Sequence, residues 1–382
     1  MKITIVCDVL GEENNGTTVA AMNLIRHLKK KKHEVRILCG DQYRKGEPDV
    51  FVVPNLSFGK TLNNYVAKVG VTLAKPNEEI IRQAIDGVDL VHIMVPLPLG
   101  MATAKIAHEL NIPMTAGFHM QAQNLTSYLK INKVGFINSF VYKFIWKHMY
   151  KLVDGIHYPT NFIKSEFEKA IHKQTPAYVI SNGVNKEVKK KEVKKPDELS
   201  DKIVILSIGR YAREKSHDTL IKAIKYSKYK DKIQLIFGGQ GTKEKLYHKL
   251  DKTLPIKPVY KFFSRQEIID VINYADIYVH PAEIELEGIA CLEAIACGKL
   301  TIVSNSKLSA TKGFAINPKC VFKSRCPRSL AKVIDYWIEH EDERKLAEDE
   351  YLKNAVVFEQ EECMNRMEEM MQEIASGKKE TK

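Results

Sequence analysis

The sequence predicts an α/β protein made of two Rossmann-like, doubly wound units. Three observations carry that prediction. Short apolar runs alternate with stretches of helical period along both halves of the chain, the pattern of a parallel sheet covered by helices on both faces. The alternation pauses near Gln174–Pro176 and restarts at Ile203, so the strands sort into two sets. The chain has 382 residues, enough for two domains with cores of their own.

In the first half, Ile3–Val6 reads as a short buried strand. The turn-rich loop 11–16 follows. Thr17 is placed to cap a helix running to Lys31, with Val19, Met22, Leu24, Ile25 and Leu28 as its apolar stripe. Strands are expected at Glu34–Leu38, Val88–Val95, Met114–Phe118 and Ile156–Tyr158, and helices at Ala102–Leu110 and Phe162–Ala170. In the second half, Ile203–Ile208, Ile233–Phe237, Val259–Phe262, Ile277–His280 and Leu300–Val303 read as strands. Helices are expected at His217–Tyr226, Lys243–Lys252, Gln266–Tyr274 and Ile289–Ala296. Ser329–His340 and two further charged stretches read as helices with no strand among them. These bounds put one domain at 1–175 and a second at 176–350.

Composition narrows the class. A hydrophobic fraction of 44% and a charged fraction of 28% are those of an ordinary soluble protein. The start, Met1-Lys-Ile-Thr-Ile-Val-Cys-Asp8, is apolar too briefly for a secretory signal. No run approaches the roughly 18 apolar residues of a membrane span. The expected location is therefore the cytoplasm. Seven cysteines, without a C-x-x-C pair, read as reduced buried thiols rather than a zinc site. The formal charge of +12 leaves anionic substrates, anionic membrane and nucleic acid open. No nucleic-acid module accompanies it, and the lysine-rich stretch Lys186–Lys195 reads as a solvated loop.

The segment His280–Lys299 is the most informative. Glu285 and Glu293 bracket Gly288 where a loop becomes an apolar helix. Backbone N–H groups at such a helix start attract anions. A carboxylate nearby repels phosphate but accepts hydrogen bonds from sugar hydroxyls. A phosphate cradle beside two hydroxyl acceptors suits a nucleotide sugar. Ile289, Ala290, Leu292, Ala294, Ile295 and Ala296 make the helix apolar nearly all round, so Glu293 is expected to be buried and to need a partner.

Glu285, seven residues, then Glu293, with Gly288 between and Glu-Ala closing the run, resembles the E-x7-E signature of family 4 retaining glycosyltransferases. The resemblance implies the GT-B fold, two Rossmann-like domains facing across a cleft, with a final helix, here about 361–376, packed back on the first domain. Met364, Met367, Met370, Met371 and Ile374 would form its packing face, the alternative being a helix at the domain edge. The family has an aromatic residue before the glycine; this chain has Glu287, which bears on the donor sugar. The resemblance assigns Glu285 to the donor sugar, Glu293 to the ribose hydroxyls, and the N–H groups of Gly288 and Ile289 to the phosphates.

Other segments add to this pattern. Ser207-Ile-Gly-Arg-Tyr-Ala-Arg-Glu-Lys215 follows a strand and resembles the family's G-R-x4-K motif, so Arg210 and Lys215 are assigned to the donor diphosphate. Cations at a strand's carboxyl end lower the barrier to expelling a diphosphate, although a solvated basic loop would read alike. Phe237-Gly-Gly-Gln-Gly241 matches the family's G-x-G element, with Gly239 near the nucleotide. Arg265 lies where the base-contacting segment sits, or is a surface arginine at a helix start. Gly16, at the opening of the first helix, corresponds to the glycine loop that in the family approaches the acceptor and the donor phosphates. Ala116-Gly-Phe-His-Met-Gln-Ala-Gln-Asn124 puts His119 where the family has a cleft histidine that positions the sugar or assists proton movement. Gln121 and Asn124 are acceptor-side candidates.

Residues 136–152 are aromatic, apolar and basic together. Lys143, Lys147 and Lys151 make a cationic stripe, and Phe140, Phe144 and Trp146 could enter a membrane interface. An amphipathic helix packed on its sheet is the alternative. No D-x-D motif occurs, and the resemblance implies no cofactor and no metal. The expected activity is retaining transfer of a hexosyl unit from a UDP-linked sugar to a lipid or cell-surface glycan acceptor, with peripheral contact to an anionic membrane and no nucleic-acid partner. The rival readings are transfer to a small soluble acceptor, a catalytically silent nucleotide-binding scaffold and a basic nucleic-acid binder.

Overall fold

A computed structural model describes residues 1–8, 10, 16–56, 73–122 and 135–377. The chain forms two compact units, 1–182 together with 363–382, and 183–362.

In the first unit, β1 (Lys2–Cys7), α1 (Gly16–Lys30), β2 (Glu34–Cys39), β3 (Val50–Val52), α2 (Glu78–Ile85), β4 (Leu90–Ile93), α3 (Pro98–Glu109), β5 (Met114–Gly117), α4 (Gly135–His148), β6 (Gly155–Tyr158), α5 (Asn161–Ile171) and β7 (Ala177–Val179) follow in sequence. The strands form one parallel sheet in the order β3-β2-β1-β4-β5-β6-β7. Every residue of β4, β5 and β6 is buried, as a sheet covered on both faces requires. The order reverses at β1, the switch point where open α/β sheets bind ligands. Gly16 follows β1, and His119 lies just beyond β5.

Two boundaries differ from expectation. The chain does not leave the first sheet at 174–176, because β7 pairs with β6 through His157 and Tyr178 and keeps residues up to 182 in this unit. An edge strand of three half-buried residues has too little apolar period to reveal itself. Thr17 does not cap α1, which begins at Gly16 and so contains Thr17.

In the second unit, β8 (Ile203–Ile208), α6 (His217–Ile224), β9 (Ile233–Gly238), α7 (Glu244–Leu250), β10 (Val259–Lys261), α8 (Arg265–Tyr274), β11 (Ile277–His280), β12 (Ile284–Glu285), α9 (Ile289–Ala296), β13 (Thr301–Ser304), β14 (Leu308–Ser309), β15 (Val321–Phe322), α10 (Pro327–Glu339) and α11 (Glu341–Asn354) follow. The parallel sheet runs β10-β9-β8-β11-β13-β15 and reverses between β8 and β11. The two-residue strands β12 and β14 pair beside it, Glu285 opposite Ser309.

The last helix, α12 (Gln360–Ala375), belongs to the first unit from Cys363 onward. Met364, Met367, Met370 and Met371 are buried against Leu24, Ile25, Leu28 and Val35, and Ile374 packs half-buried beside them. Burying each methionine contributes about 1.5–3 kcal/mol. Polar contacts fix the register. Glu368 bonds His27 at 3.0 Å and His33 at 2.8 Å, and Arg366 donates to the Val179 carbonyl at 3.0 Å.

Candidate active site

The carboxyl ends of β8 and β11 are neighbours, and the segments leaving them build one cluster. After β8 the chain turns through Gly209 into a single 3-10 turn at Arg213–Lys215. This turn is held to the loop after β9: Gly209 N–H donates to Gly238 O at 2.9 Å and Tyr211 N–H to Gln240 O at 2.9 Å. A side chain at Gly239 would place its Cβ 2.2 Å from the Gly209 carbonyl, and the Gly239 φ of +150° is one that L residues rarely adopt. Glycine there is what lets the two loops touch. On its other side the turn is tied to the residue before β12, where Glu283 N–H donates to Glu214 O at 2.7 Å.

Lys215 so held forms an ion pair with Glu285 Oε2. His280, the last residue of β11, binds the same oxygen through Nε2 at 3.0 Å. Burial raises the Glu285 carboxyl, but the Lys215 charge and the His280 hydrogen bond outweigh it and bring the pKa down to about 2. Glu285 is therefore an anion at any working pH. Gly288 opens α9 with φ +89°, and a Cβ there would lie 3.2 Å from Glu285 Cγ and 2.8 Å from Thr311 Cγ2. The amino end of α9 thus sits directly against Glu285, with Ile289 as its first residue. The turn carrying Lys215, the carboxylate of Glu285 and the start of α9 are one site.

Arg210 is half-exposed beside this cluster, its guanidinium donating to Glu214 at 3.2 Å. Glu293, on the second turn of α9, is buried, and its partner is Arg265 at 2.5 Å. Arg265 is the first residue of α8, whose start is fixed by a reciprocal capping box between Ser264 and Glu267. Glu287 is a buried residue at 3% exposure where an aromatic was the family expectation.

His119 and Gly16 belong to the first unit. The His119 ring lies edge-on to His157 at 5.4 Å. Burial, then the proximity of His157 and His92, depresses its pKa well below the usual histidine value, so the ring is neutral at pH 7. A neutral imidazole can donate at one nitrogen and accept at the other. Gln121 is buried, and Asn124 lies outside the described residues. A Cβ at Gly16 would meet nothing within 4 Å among the described residues, so packing there does not require glycine.

Phe140, Lys143, Phe144 and Lys147 line the exposed face of α4, and Lys151 continues it. Tyr142, Ile145 and Met149 face inward. Trp146, expected among the interfacial aromatics, instead packs edge-on against Phe167 of α5 at 6.3 Å. A groove of about 340 Å³, lined by Met101, Lys105, Phe144, Lys147 and Lys151 among others, runs beside this face.

Among the described residues no cluster of His, Cys, Asp and Glu is arranged to hold a metal ion, and none of the seven cysteines is in a disulfide, six of them being buried. No described helix is long and apolar enough to cross a membrane. In the sequence His280 stands out only as a strand end, and no pattern there marks Tyr278 or Glu214. The rule that singled out His119, a polar residue at the carboxyl end of a buried strand, points equally to His280.

Residues 14–188 match the model of glycosyltransferase family 4, and residues 188–353 that of the glycosyl transferases group 1. The chain is 25% identical to a glycosyltransferase of Methanocaldococcus jannaschii over 294 residues, 76% of this chain and 75% of that one. It is 24% identical to the alpha-monoglucosyldiacylglycerol synthase of Streptococcus pneumoniae over 321 residues, 78% of this chain and 70% of that one. The crystal structure of Anabaena HepE in complex with UDP superposes with a TM-score of 0.74 at 15% identity, covering 97% of this chain and 100% of that one.

Proposed function

The chain belongs to glycosyltransferase family 4, has the GT-B fold and is a hexosyltransferase, and from that premise we propose that it moves a hexosyl unit, with retention, from a UDP-linked sugar to a lipid or cell-surface glycan hydroxyl. The observation that carries the reading is the cluster of Lys215, Glu285 and the start of α9 at the β8/β11 switch point.

In the proposed reaction the bond between the anomeric carbon and the β-phosphate oxygen breaks, and its electron pair leaves on the diphosphate. The acceptor hydroxyl attacks the anomeric carbon from the face that the leaving group vacates, and its proton passes to the departing phosphate oxygen. Arg210, Lys215 and the N–H groups of Gly288 and Ile289 neutralise the charge that develops there. These groups supply the neutralisation, and no divalent ion is assigned a part. Glu285, permanently ionised, accepts from sugar hydroxyls. Glu293 accepts from the ribose, with Arg265 holding its carboxylate and lying near the base. Gly239 keeps the loop beside the nucleotide close to Gly209. Neutral His119 hydrogen-bonds the sugar or the acceptor hydroxyl, and Gly16 lets backbone approach the donor phosphates.

The lipid acceptor draws on two supports. One relative is by name a synthase of a glucosylated diacylglycerol. The exposed face of α4 alternates Phe140 and Phe144 with Lys143, Lys147 and Lys151, which suits an anionic membrane surface. HepE, which shares the fold, is known with UDP, the donor nucleotide proposed here.

Incubating the protein with labelled UDP-, GDP- and ADP-hexoses and a membrane-lipid extract tests the reading. Labelled glycolipid from the UDP donor, with the anomeric configuration kept and turnover unaffected by a chelator, is the expected result. Label moving only to water-soluble acceptors would replace the lipid acceptor with a small one. Donor binding without transfer to any acceptor would make the chain a scaffold.

A further inference from the structure

Glu285 has two carboxylate oxygens, and its protein partners converge on one. The Lys215 ammonium and His280 Nε2 both bind Oε2. Among the described residues Oε1 has no hydrogen-bond partner.

His280 is itself fixed from behind. It is 2% exposed, and its Nδ1 lies 3.1 Å from the hydroxyl of Tyr278, fully buried on the same strand. Residues two apart on a strand share a face, which is why the two rings meet. Burial, only partly offset by the Glu285 carboxylate, lowers the His280 pKa, so the ring is neutral. A neutral imidazole has one N–H and one lone pair, and a carboxylate only accepts. The network therefore assigns the tautomer: Tyr278 O–H donates to Nδ1, and Nε2–H donates to Oε2.

Lys215 cannot hold Glu285 alone through the reaction. A diphosphate arriving at the turn after β8 competes for its ammonium, and a buried carboxylate left without a partner is costly. His280 faces no such competition, because it lies beneath the carboxylate in the core.

Resting on the proposed hexosyl transfer, we propose that His280 is a positioning residue. Its Nε2–H holds Oε2 of Glu285 when the donor diphosphate engages Lys215, and so presents Oε1 to the donor-sugar hydroxyls, while Tyr278 keeps the imidazole in the donating tautomer.

Glu285 faces the sugar and not the nucleotide, so the test compares UDP with UDP-glucose. The parent is measured first for transfer and for affinity to both ligands. A parent that neither binds nor uses any nucleotide hexose overturns the transfer reading itself, before any variant is made. With an active parent, His280→Ala is expected to lower kcat about 10–100-fold, the range for a lost supporting hydrogen bond or a misplacement of about 1 Å. UDP-glucose affinity falls with it, while UDP affinity stays within about two-fold, the split that sugar-only contact requires. His280→Gln, whose amide N–H can replace Nε2–H, restores most of kcat. Tyr278→Phe, which frees the tautomer, lowers kcat without changing UDP affinity.

All values are taken per folded molecule, judged by circular dichroism and UDP titration. An alanine variant with kcat and UDP-glucose affinity like the parent's overturns the proposal. So does an equal loss of UDP and UDP-glucose affinity, which marks collapse of the whole site. If the alanine variant does not fold, the glutamine and phenylalanine variants decide: a glutamine variant as poor as a dead enzyme, or a phenylalanine variant with unchanged kcat, overturns it as well.

Discussion

Lys215 joins the turn after β8 to the carboxylate after β11, and its removal separates two effects. In the proposed reaction Lys215→Ala takes away a cation from the developing charge on the diphosphate, which is expected to lower kcat about 10²–10³-fold, as when one oxyanion donor is removed. It also strips the Glu285 carboxyl of the charge that most lowers its pKa. His280 still holds that carboxylate, so the fold should survive with a modest fall in Tm. Steady-state kinetics beside a thermal melt check this, and a kcat loss no larger than the loss of folded protein would speak against the diphosphate role. The members of the cluster were legible in the sequence because each lies in a contiguous segment with its own spacing. Their meeting was not legible. Lys215 and Glu285 are 70 residues apart and Arg265 and Glu293 28 apart, and these approaches follow from the order in which strands enter the sheet. His280 escaped assignment because a histidine ending an apolar strand looks the same whether it packs or holds a carboxylate.

Among the elements, the loop after β9 makes a local demand that a single methyl tests. Gly239→Ala adds a Cβ 2.2 Å from the Gly209 carbonyl at a φ of +150°. The backbone cost is of order 1–3 kcal/mol, visible as a lower urea midpoint. Because the displaced loop is the one that carries Arg210 and Lys215, turnover should fall further than stability predicts; unchanged turnover in a destabilised variant would show that the loop contact does not position them. Helix α4 makes a different demand. Its exposed lysines each contribute about 1 kcal/mol to binding an anionic surface. Changing Lys143, Lys147 and Lys151 to glutamate should abolish flotation with phosphatidylglycerol vesicles at low salt and leave transfer to a detergent-dispersed acceptor intact. A parent that does not float would end the membrane proposal. The long buried strands and amphipathic helices were readable from apolar period alone. The strands β3, β7, β12, β14 and β15, of two or three residues, were not, because their identity comes from the neighbour they pair with and not from their own side chains.

For the whole molecule, buried histidines set the response to acid. Burial, with some repulsion from neighbouring cationic or imidazole groups, depresses His92 to about 3, His157 to about 4 and His217 to about 3. Unfolded, each titrates near 6.5. Between pH 6.5 and the folded values the unfolded chain binds protons that the folded chain refuses, so stability is full above pH 6.5 and falls as the pH drops through that window. At pH 5 each histidine costs about 2 kcal/mol, at about 1.36 kcal/mol per unit below 6.5. Asp8 acts oppositely. Burial raises it to about 6, so its contribution grows on acidification and returns about 1.4 kcal/mol by pH 5, one unit below that value. Glu285, held near 2, begins to lose its stabilisation only below about pH 4.5. His92, His157 and Asp8 lie in the first unit and His217 in the second. His119 in the first unit and His280 in the second are held below the usual histidine range as well and act in the same direction, so each unit loses at least about 2 kcal/mol between pH 7 and 5, a sizeable share of a domain's usual 5–15 kcal/mol. Urea unfolding at the two pH values should show both midpoints shifting down, and His217→Asn, which cannot take up a proton, should shrink the shift in the second unit alone, the remainder there coming from His280. Midpoints that hold steady from pH 7 to 5 would mean that these rings are not kept neutral by the fold.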